Sequence, residues 1–164
     1  MKMIGIIADT HDNIDAIVKS VEFFNSKGVS IVLHAGDIIS PFAAEEFGKL
    51  NSKLLAVFGN NDGEKDGLRK KFSKFGFELD DLITIECMGK QVCIYHGTNK
   101  SIVNALLKSR HYDIVIKGHT HKVEIEKCEN TLLINPGEAC GYLTGKRTVA
   151  TLDVGEMDVK IHEI

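Results

Sequence analysis

The chain has 164 residues, of which 43% are hydrophobic and 26% are charged. These proportions are typical of a globular protein and exclude collagen-like, disordered and membrane-embedded classes. The length suits one compact domain, predicted for residues 1–164, and is too short for two domains of ordinary size. The formal net charge of −3 excludes nucleic-acid binding by bulk electrostatic attraction, because that mode requires a basic surface.

The N-terminus and the cysteines indicate the compartment. The apolar N-terminal stretch at 1–8 meets Asp9 too early for the apolar region of a secretory signal peptide. No apolar run reaches the roughly 18 residues that a membrane span requires. The 4 cysteines show no Cys-x-x-Cys spacing, which favours reduced thiols. We therefore predict a cytoplasmic protein that does not enter a membrane.

The first third of the chain alternates predicted strands and helices. Short apolar runs, typical of buried parallel strands, occur at 4–8, 31–33 and 54–58. Between the first two runs, apolar residues at helical spacing predict a helix capped by Asp12 or Asn13. The dipeptide Ser40-Pro41 predicts the start of another helix. Two further helices are predicted at 64–75 and 99–110.

The second half of the chain is predicted to form hairpins. Three pairs of strand-like segments each flank a short turn. The pairs are 82–87 and 91–95, 123–128 and 131–134, and 149–153 and 158–161. One more strand is predicted at 113–117. Alternating strands and helices followed by hairpins are typical of a mixed α/β domain, here with two sheets.

Polar motifs follow several of the predicted strands. They are Asp9-Thr10-His11, Gly36-Asp37, Gly59-Asn60-Asn61-Asp62, His96-Gly97 and Gly118-His119-Thr120-His121. Ligands bind at the carboxyl ends of strands in open α/β sheets. We therefore expect these side chains to meet at one edge, where the glycines allow sharp turns and a close approach of ligands.

The spacing within two of these motifs predicts convergent donors, because residues two apart on an extended chain point the same way. Asp9 and His11 are therefore expected to aim at one place. The same holds for His119 and His121. The remaining candidate metal ligands are Asp37, Asn60 and His96.

This donor set predicts two metal ions. One ion rarely takes more than about six ligands, so the seven candidates indicate two ions that share a bridge. Imidazole ligands favour Mn²⁺, Fe, Zn²⁺, Ni²⁺ or Co²⁺ over Mg²⁺ and Ca²⁺. Among these divalent transition metals we predict Mn²⁺ first.

In this order the motifs resemble those of the calcineurin-like metallophosphoesterases, in particular the small bacterial and archaeal phosphodiesterases. The resemblance spans nearly the whole chain and includes Asn135-Pro136-Gly137 after the last histidine pair. It implies a four-layer α/β/β/α sandwich of two mixed sheets flanked by helices. It also implies a binuclear metal centre at one end of the sheets.

The resemblance further implies a role for each site residue. The ligands of the first ion would be Asp9, His11 and His121. The ligands of the second ion would be Asn60, His96 and His119. Asp37 would bridge the two ions. The predicted catalytic residues are Asp37, Asn61 and Asp62, and Asn61 is also predicted to bind the substrate.

One position departs from the wider family, which often has a histidine where Asn61 stands. That histidine is proposed to assist the leaving group. An amide can donate a hydrogen bond to a phosphoryl oxygen but cannot give up a proton near pH 7. The sequence therefore favours diesters or activated esters over alkyl monoesters.

Together these features predict a metal-dependent phosphodiesterase that acts on a small phosphodiester by in-line attack of a metal-bridging hydroxide. The alternative is a protein-interaction scaffold, because a retromer subunit with a degraded metal site has a similar fold. All seven candidate ligands are present here, which favours the enzyme. Nucleic acid is not expected as a substrate without a partner chain, and the family analogy allows a homo-oligomer.

Overall fold

The computed structural model describes residues 3–164, so positions 1 and 2 of the predicted domain lie outside the described residues. The helices are α1 (Ile14–Lys27), α2 (Lys65–Lys74), α3 (Lys100–Lys108) and a 3-10 helix at Ala43–Lys49. The first strands are β1 (Met3–Ile7), β2 (Ile31–His34), β3 (Lys53–Val57), β4 (Glu78–Asp80), β5 (Ile83–Cys87) and β6 (Lys90–Ile94). The others are β7 (Ile114–Ile116), β8 (Val123–Cys128), β9 (Thr131–Pro136), β10 (Thr148–Asp153) and β11 (Asp158–Glu163).

The strands form two mixed sheets. The first has the order β11-β10-β1-β2-β3-β4, and β1 to β4 run parallel within it. The second has the order β5-β6-β7-β9-β8, with a parallel core of β6, β7 and β9. The remaining pairs are antiparallel, as the predicted hairpins require. The predicted class, a four-layer α/β/β/α sandwich of two mixed sheets flanked by helices, is confirmed.

Successive side chains along a strand point to opposite faces of its sheet, which shows what covers each face. In β1, Ile6 packs between the two sheets, whereas its neighbour Ile7 packs on the opposite face. That opposite face is covered by α1, the 3-10 helix and α2, which contribute buried phenylalanines such as Phe24 and Phe72. Helix α3 packs on the outer face of the second sheet, over Leu133 and its neighbours. The central strands of each sheet are therefore buried on both faces, whereas edge strands such as β8 stay partly exposed.

Helix α1 begins at a side-chain cap and ends at a glycine. Asn13 Oδ1 accepts from the backbone N–H of Ala16 at 3.2 Å, which settles the predicted cap in favour of Asn13. Gly28 ends the helix in a left-handed conformation at φ 61°. Among the described residues, no helix is both long and apolar enough to cross a bilayer.

Two elements differ from the sequence prediction. The helix expected after Ser40-Pro41 is a 3-10 helix that starts at Ala43, and no side chain caps it. Ser40 instead donates its hydroxyl and its backbone N–H to Asp12 Oδ1, at 2.7 and 3.0 Å. Strand β4 is not predicted, because three residues on a sheet edge are too short to show an alternating pattern.

Candidate metal centre

The predicted metal ligands meet where the loops after β1, β2, β3, β6 and β7 come together. Backbone hydrogen bonds join these loops to one another. The N–H of Thr10 donates to the carbonyl of Asp37 at 3.1 Å, and the N–H of Gly118 donates to the carbonyl of His96 at 2.9 Å. These backbone hydrogen bonds therefore hold neighbouring loops of each sheet together.

Four predicted ligands form one tight group, which consists of Asp9, His11, Asp37 and His121. One donor atom from each lies within 4.8 Å of all the others. His11 Nε2 is 3.5 Å from Asp37 Oδ2, and His121 Nε2 is 3.6 Å from Asp9 Oδ1. Both carboxylates are buried. Buried charge of one sign needs a compensating cation, and this donor set suits a divalent transition metal.

The Nε2 atom of His11 supports this assignment. It is buried without a hydrogen-bond partner among the described residues, although buried polar atoms are almost always paired. It faces the Asp9 and Asp37 carboxylates at 3.8 and 3.5 Å. Asp9, reinforced by Asp37, raises the pKa of His11 against the opposing effect of burial. A metal ion between these groups would satisfy the nitrogen and both carboxylates together.

A second group of donors surrounds His96, next to the first. His96 Nδ1 lies 2.7 Å from the carbonyl oxygen of Ala35, which can only accept, so Nδ1 carries a proton. Nε2 faces Asn60 Oδ1 at 3.1 Å and Asp37 Oδ2 at 3.4 Å. Burial lowers the pKa of His96, but Asp37 raises it further, and the net shift is upward. Either a proton on Nε2 or a metal ion between these three atoms would satisfy them, so the arrangement is compatible with a second ion shared with Asp37.

His119 lies beside this second group rather than within it. Its ring centroid is 5.2 Å from that of His96. Its backbone N–H donates to the Asp9 carboxylate at 3.1 Å. Burial, aided by His96, lowers the pKa of His119, which favours the neutral imidazole that metals require. The structure therefore brings His119 to the edge of the site, where it also borders a groove.

The backbone at these ligands is left-handed rather than extended. Positive φ angles of 43–68° occur at Asp9, His11, Asp37, His119 and His121. Asp9 and His11 therefore converge for a different reason from the predicted one. His119 and His121 do not share one donor group, because His121 lies in the first group and His119 lies beside His96. Asp and His tolerate this region better than most residues, and strained backbone clusters at functional sites.

Two glycines allow the loops to approach this closely. A Cβ atom on Gly59 would lie 2.1 Å from Asp37 Oδ1, and one on Gly118 would lie 2.7 Å from Asp9 Oδ2. Real Cβ atoms do not approach other atoms at such distances. Any side chain at either position would therefore displace a carboxylate of the centre.

The predicted catalytic residues Asn61 and Asp62 occupy different environments. Asn61 is exposed, and its side-chain amide donates to Asp37 Oδ2 at 2.8 Å. Asp62 is buried and accepts backbone N–H bonds from Asp37, Ile38, Ile39 and Gly59 at 2.6–3.0 Å. Its carboxylate thus holds together the two loops that carry Asp37 and Asn60.

Glu138 is a site residue to which the sequence alone assigns no role. It is fully buried, and His121 Nδ1 lies 2.7 Å from its Oε2. Burial would raise the pKa of Glu138, but bonds from His121 and Thr144 lower it to about 2. The carboxylate therefore fixes Nδ1 as the protonated nitrogen and leaves Nε2 for a metal. The only sequence signal was its position directly after Asn135-Pro136-Gly137.

Cys140 also lies close to His121 and Glu138. Burial raises the pKa of the thiol to about 12. Its Sγ donates to Glu138 Oε2 at 3.2 Å, so the sulfur is used as a protonated donor. This second group of three donors therefore supports the orientation of His121 rather than a soft-metal site.

Comparison with known proteins identifies the family of this chain. A family model described as the calcineurin-like phosphoesterase superfamily domain matches residues 1–157. Phosphodiesterase MJ0936 of Methanocaldococcus jannaschii is 42% identical over 159 residues, which are 96% of each chain. A solved structure of an archaeal phosphodiesterase superposes with a TM-score of 0.95 and 40% identity, and covers 99% of both chains.

A more distant solved structure shows the fold alone. Vps29 of Chaetomium thermophilum superposes with a TM-score of 0.73, and the match covers 100% of this chain and 97% of that one. Its sequence identity is only 14%, so the likeness concerns architecture and not activity. Because the family model spans most of the sequence and the archaeal relative matches nearly all of it, this chain belongs to the calcineurin-like phosphoesterase superfamily.

Proposed function

We propose that this protein is a phosphodiesterase that depends on divalent metal ions. The observation that carries the proposal is the group of Asp9, His11, Asp37 and His121, with donors within 4.8 Å of one another around an unpartnered His11 Nε2. Membership of the phosphoesterase superfamily supports it, as does the 42% identical archaeal relative, which is itself named a phosphodiesterase.

The proposed centre holds two ions. The first would be held by Asp9, His11 and His121. The second would be held by Asn60, His96 and His119, and Asp37 would belong to both. We propose Mn²⁺, with Ni²⁺, Fe, Zn²⁺ and Co²⁺ as alternatives that the same donors accept. When bound, such ions supply a water of lowered pKa and positive charge opposite the phosphoryl oxygens.

The protein's own groups would position the ester. Asn61 is exposed beside Asp37, so a rotation of its side chain would let the amide donate to a phosphoryl oxygen. Asp37 accepts hydrogen bonds from the backbone and the side chain of Asn61, which keeps its carboxylate ionised and aimed at the centre. Asp62 would act indirectly, because its carboxylate accepts a hydrogen bond from the backbone N–H of Asp37 and holds that backbone in place.

The substrate is proposed to be a small phosphodiester. The scaffold alternative is not favoured, because no candidate ligand is missing and the donors converge. We also propose that residues 1–164 act as a single domain, which is supported by a shared apolar core between the sheets. A cytoplasmic location stays a prediction from the sequence, and a homo-oligomer stays an expectation that only the family resemblance allows.

The test is hydrolysis of bis-p-nitrophenyl phosphate by chelator-stripped protein titrated with Mn²⁺. We expect turnover that appears with the metal and is lost, with most of the bound metal, in Asp37→Asn. A suitable control is Asp66→Asn, which removes a carboxylate of α2 whose side chain is fully exposed. Unchanged metal content in Asp37→Asn would contradict the bridging role. No turnover with any of the five metals would contradict the enzyme.

A further inference from the structure

A groove of about 580 Å³ opens directly beside the metal centre. Gly97 and Thr98, which follow β6, and His119, which follows β7, line this groove. Thr98 Oγ1 donates to Asn60 Oδ1 at 3.4 Å, so this part of the lining touches the second group of donors. A substituent on a phosphorus atom held at the centre would therefore have a direct path into this groove.

The groove has two regular walls. On one side, α3 contributes Lys100, Val103, Asn104 and Leu107. Their spacing of three and four residues places them on one face of the helix. On the other side, β8 contributes Glu124, Glu126 and Cys128. These alternate residues share the outer face of the sheet, next to Leu133 of β9.

The charges that line the groove cancel. Lys117 Nζ lies 2.7 Å from Glu124 Oε2, and the lysine side chain is only 13% exposed. The other two charged residues, Lys100 and Glu126, are exposed and of opposite sign. A second phosphate or another polyanion would therefore gain no net attraction here, whereas an uncharged group would meet no repulsion.

The other lining groups indicate what kind of uncharged group fits. Val103, Leu107 and Leu133 supply apolar surface, and Asn104 and Thr98 supply neutral hydrogen-bonding groups. Small-molecule sites typically combine an apolar lining with a few polar groups in about 300–1,000 Å³. A ring system with polar edges, of nucleoside size, matches both the volume and the chemistry.

We propose that this groove binds the ester substituent that stays on phosphorus, and that this substituent is a neutral, ring-bearing group of nucleoside size. The proposal rests on the proposed phosphodiesterase function. Water adds to phosphorus while the bond to the leaving oxygen breaks, so the products are the leaving alcohol and the phosphomonoester of the retained group. Binding energy from that non-reacting group can then lower the barrier to hydrolysis.

The test compares two diesters with the same leaving group. One is the p-nitrophenyl ester of thymidine 5′-phosphate, and the other is methyl p-nitrophenyl phosphate. In wild-type enzyme with Mn²⁺ we expect kcat/KM to be at least about tenfold higher for the thymidine ester. Asn104→Trp, which fills the groove from an exposed position on α3, should remove most of that preference and leave the methyl ester within about twofold.

A matched control is Ile102→Trp, because Ile102 is exposed on α3 and does not line the groove. It should keep the wild-type preference. Asn104→Leu, a smaller change, should give an intermediate loss, and thermal unfolding checks that each variant is folded. Equal losses for both substrates in Asn104→Trp, or an unchanged preference, would overturn the groove proposal alone. Hydrolysis of neither ester by wild-type enzyme would overturn the proposed function as well.

Discussion

In two histidines of the centre, a hydrogen bond at the ring nitrogen that faces away from the aspartates fixes the orientation of the imidazole. Nδ1 of His96 bonds the carbonyl of Ala35, and Nδ1 of His121 bonds Glu138, each at 2.7 Å. In both residues this leaves Nε2 directed at the aspartates. Such outer partners fix the tautomer and raise the basicity of a ligand histidine. The neighbours of the ligands are therefore part of the metal site.

Glu138 is expected to control metal affinity through its contact with His121. In Glu138→Gln, the side-chain amide can present an N–H to His121 Nδ1, which would move the imidazole proton to Nε2 and block the ligand atom. We expect metal affinity to fall about 10–100-fold, the usual effect of losing such a partner. Competition with a chelating dye measures this affinity. Glu163→Gln, an exposed change on β11, is the control, and wild-type affinity in Glu138→Gln would contradict the role.

Asn61 gives the second prediction. A histidine at this exposed position beside Asp37 could protonate a poor leaving group, which an amide cannot do. Asn61→His should therefore raise the rate on β-glycerophosphate, an alkyl monoester with a poor leaving group, relative to bis-p-nitrophenyl phosphate by at least about tenfold, the lower part of the range for general acid catalysis. Asn130→His, in the exposed turn before β9, should leave the ratio unchanged. An unaltered ratio in Asn61→His would show that Asn61 does not set ester preference.

At the scale of elements, short loops at strand ends carry the metal ligands. The strands themselves supply buried apolar residues, while the loops supply left-handed backbone at Asp9, Asp37 and His119. The close approach of these loops depends on positions without a side chain. At Gly59, a Cβ atom would collide with both Oδ1 and the backbone nitrogen of Asp37, at 2.1 and 2.5 Å.

Gly59→Ala is therefore expected to damage the centre. The loop after β3 would have to move away from Asp37, which should destabilise the metal-free protein by about 1–3 kcal/mol and abolish most metal binding. Urea unfolding and dye competition measure the two effects. Gly63→Ala in the same loop meets no atom within 4 Å and should change stability by less than about 1 kcal/mol. Equal behaviour of the two variants would contradict the packing argument.

Local patterns in the sequence predict most elements but not the conformation of the site loops. Buried strands such as β1 and β2, and a helix cap at Asp12 or Asn13, follow from hydrophobic spacing and capping chemistry, and the structure selects Asn13. The 3-10 helix after Ser40 does not, because Ser40 bonds Asp12 from a distant loop. The role of Glu138 cannot be predicted from local sequence for the same reason, because its partner His121 lies 17 residues away.

At the scale of the whole molecule, an acidic protein must bind an anionic ester. The net charge is −3, and Asp9, Asp37, Asp62 and Glu138 are all buried near the centre. Without ions this region would repel phosphate. Two divalent cations would reverse the local charge while leaving the rest of the surface acidic. Metal binding and substrate binding are therefore expected to be coupled.

Stability of the whole fold is also expected to depend on pH through His34. This residue is fully buried, and its Nδ1 accepts from the backbone N–H of Gly36 at 3.1 Å while Nε2 bonds Thr10 Oγ1. Protonating Nδ1 would break the bond to Gly36 and bury a charge. Burial, with a smaller effect of His96, lowers the pKa of His34 to about 3.

The direction of the pH effect follows from the protons bound in each state. Between about pH 6.5 and 3, unfolded His34 is protonated and native His34 is neutral, so the unfolded state binds more protons and stability falls as pH falls. This group alone should remove about 2 kcal/mol of unfolding free energy between pH 7 and 5. Urea unfolding of metal-free protein should show a shallower slope over that range in His34→Gln than in wild type. His111→Gln, at an exposed loop position, should keep the wild-type slope, and equal slopes in all three proteins would mean that His34 is not the group responsible.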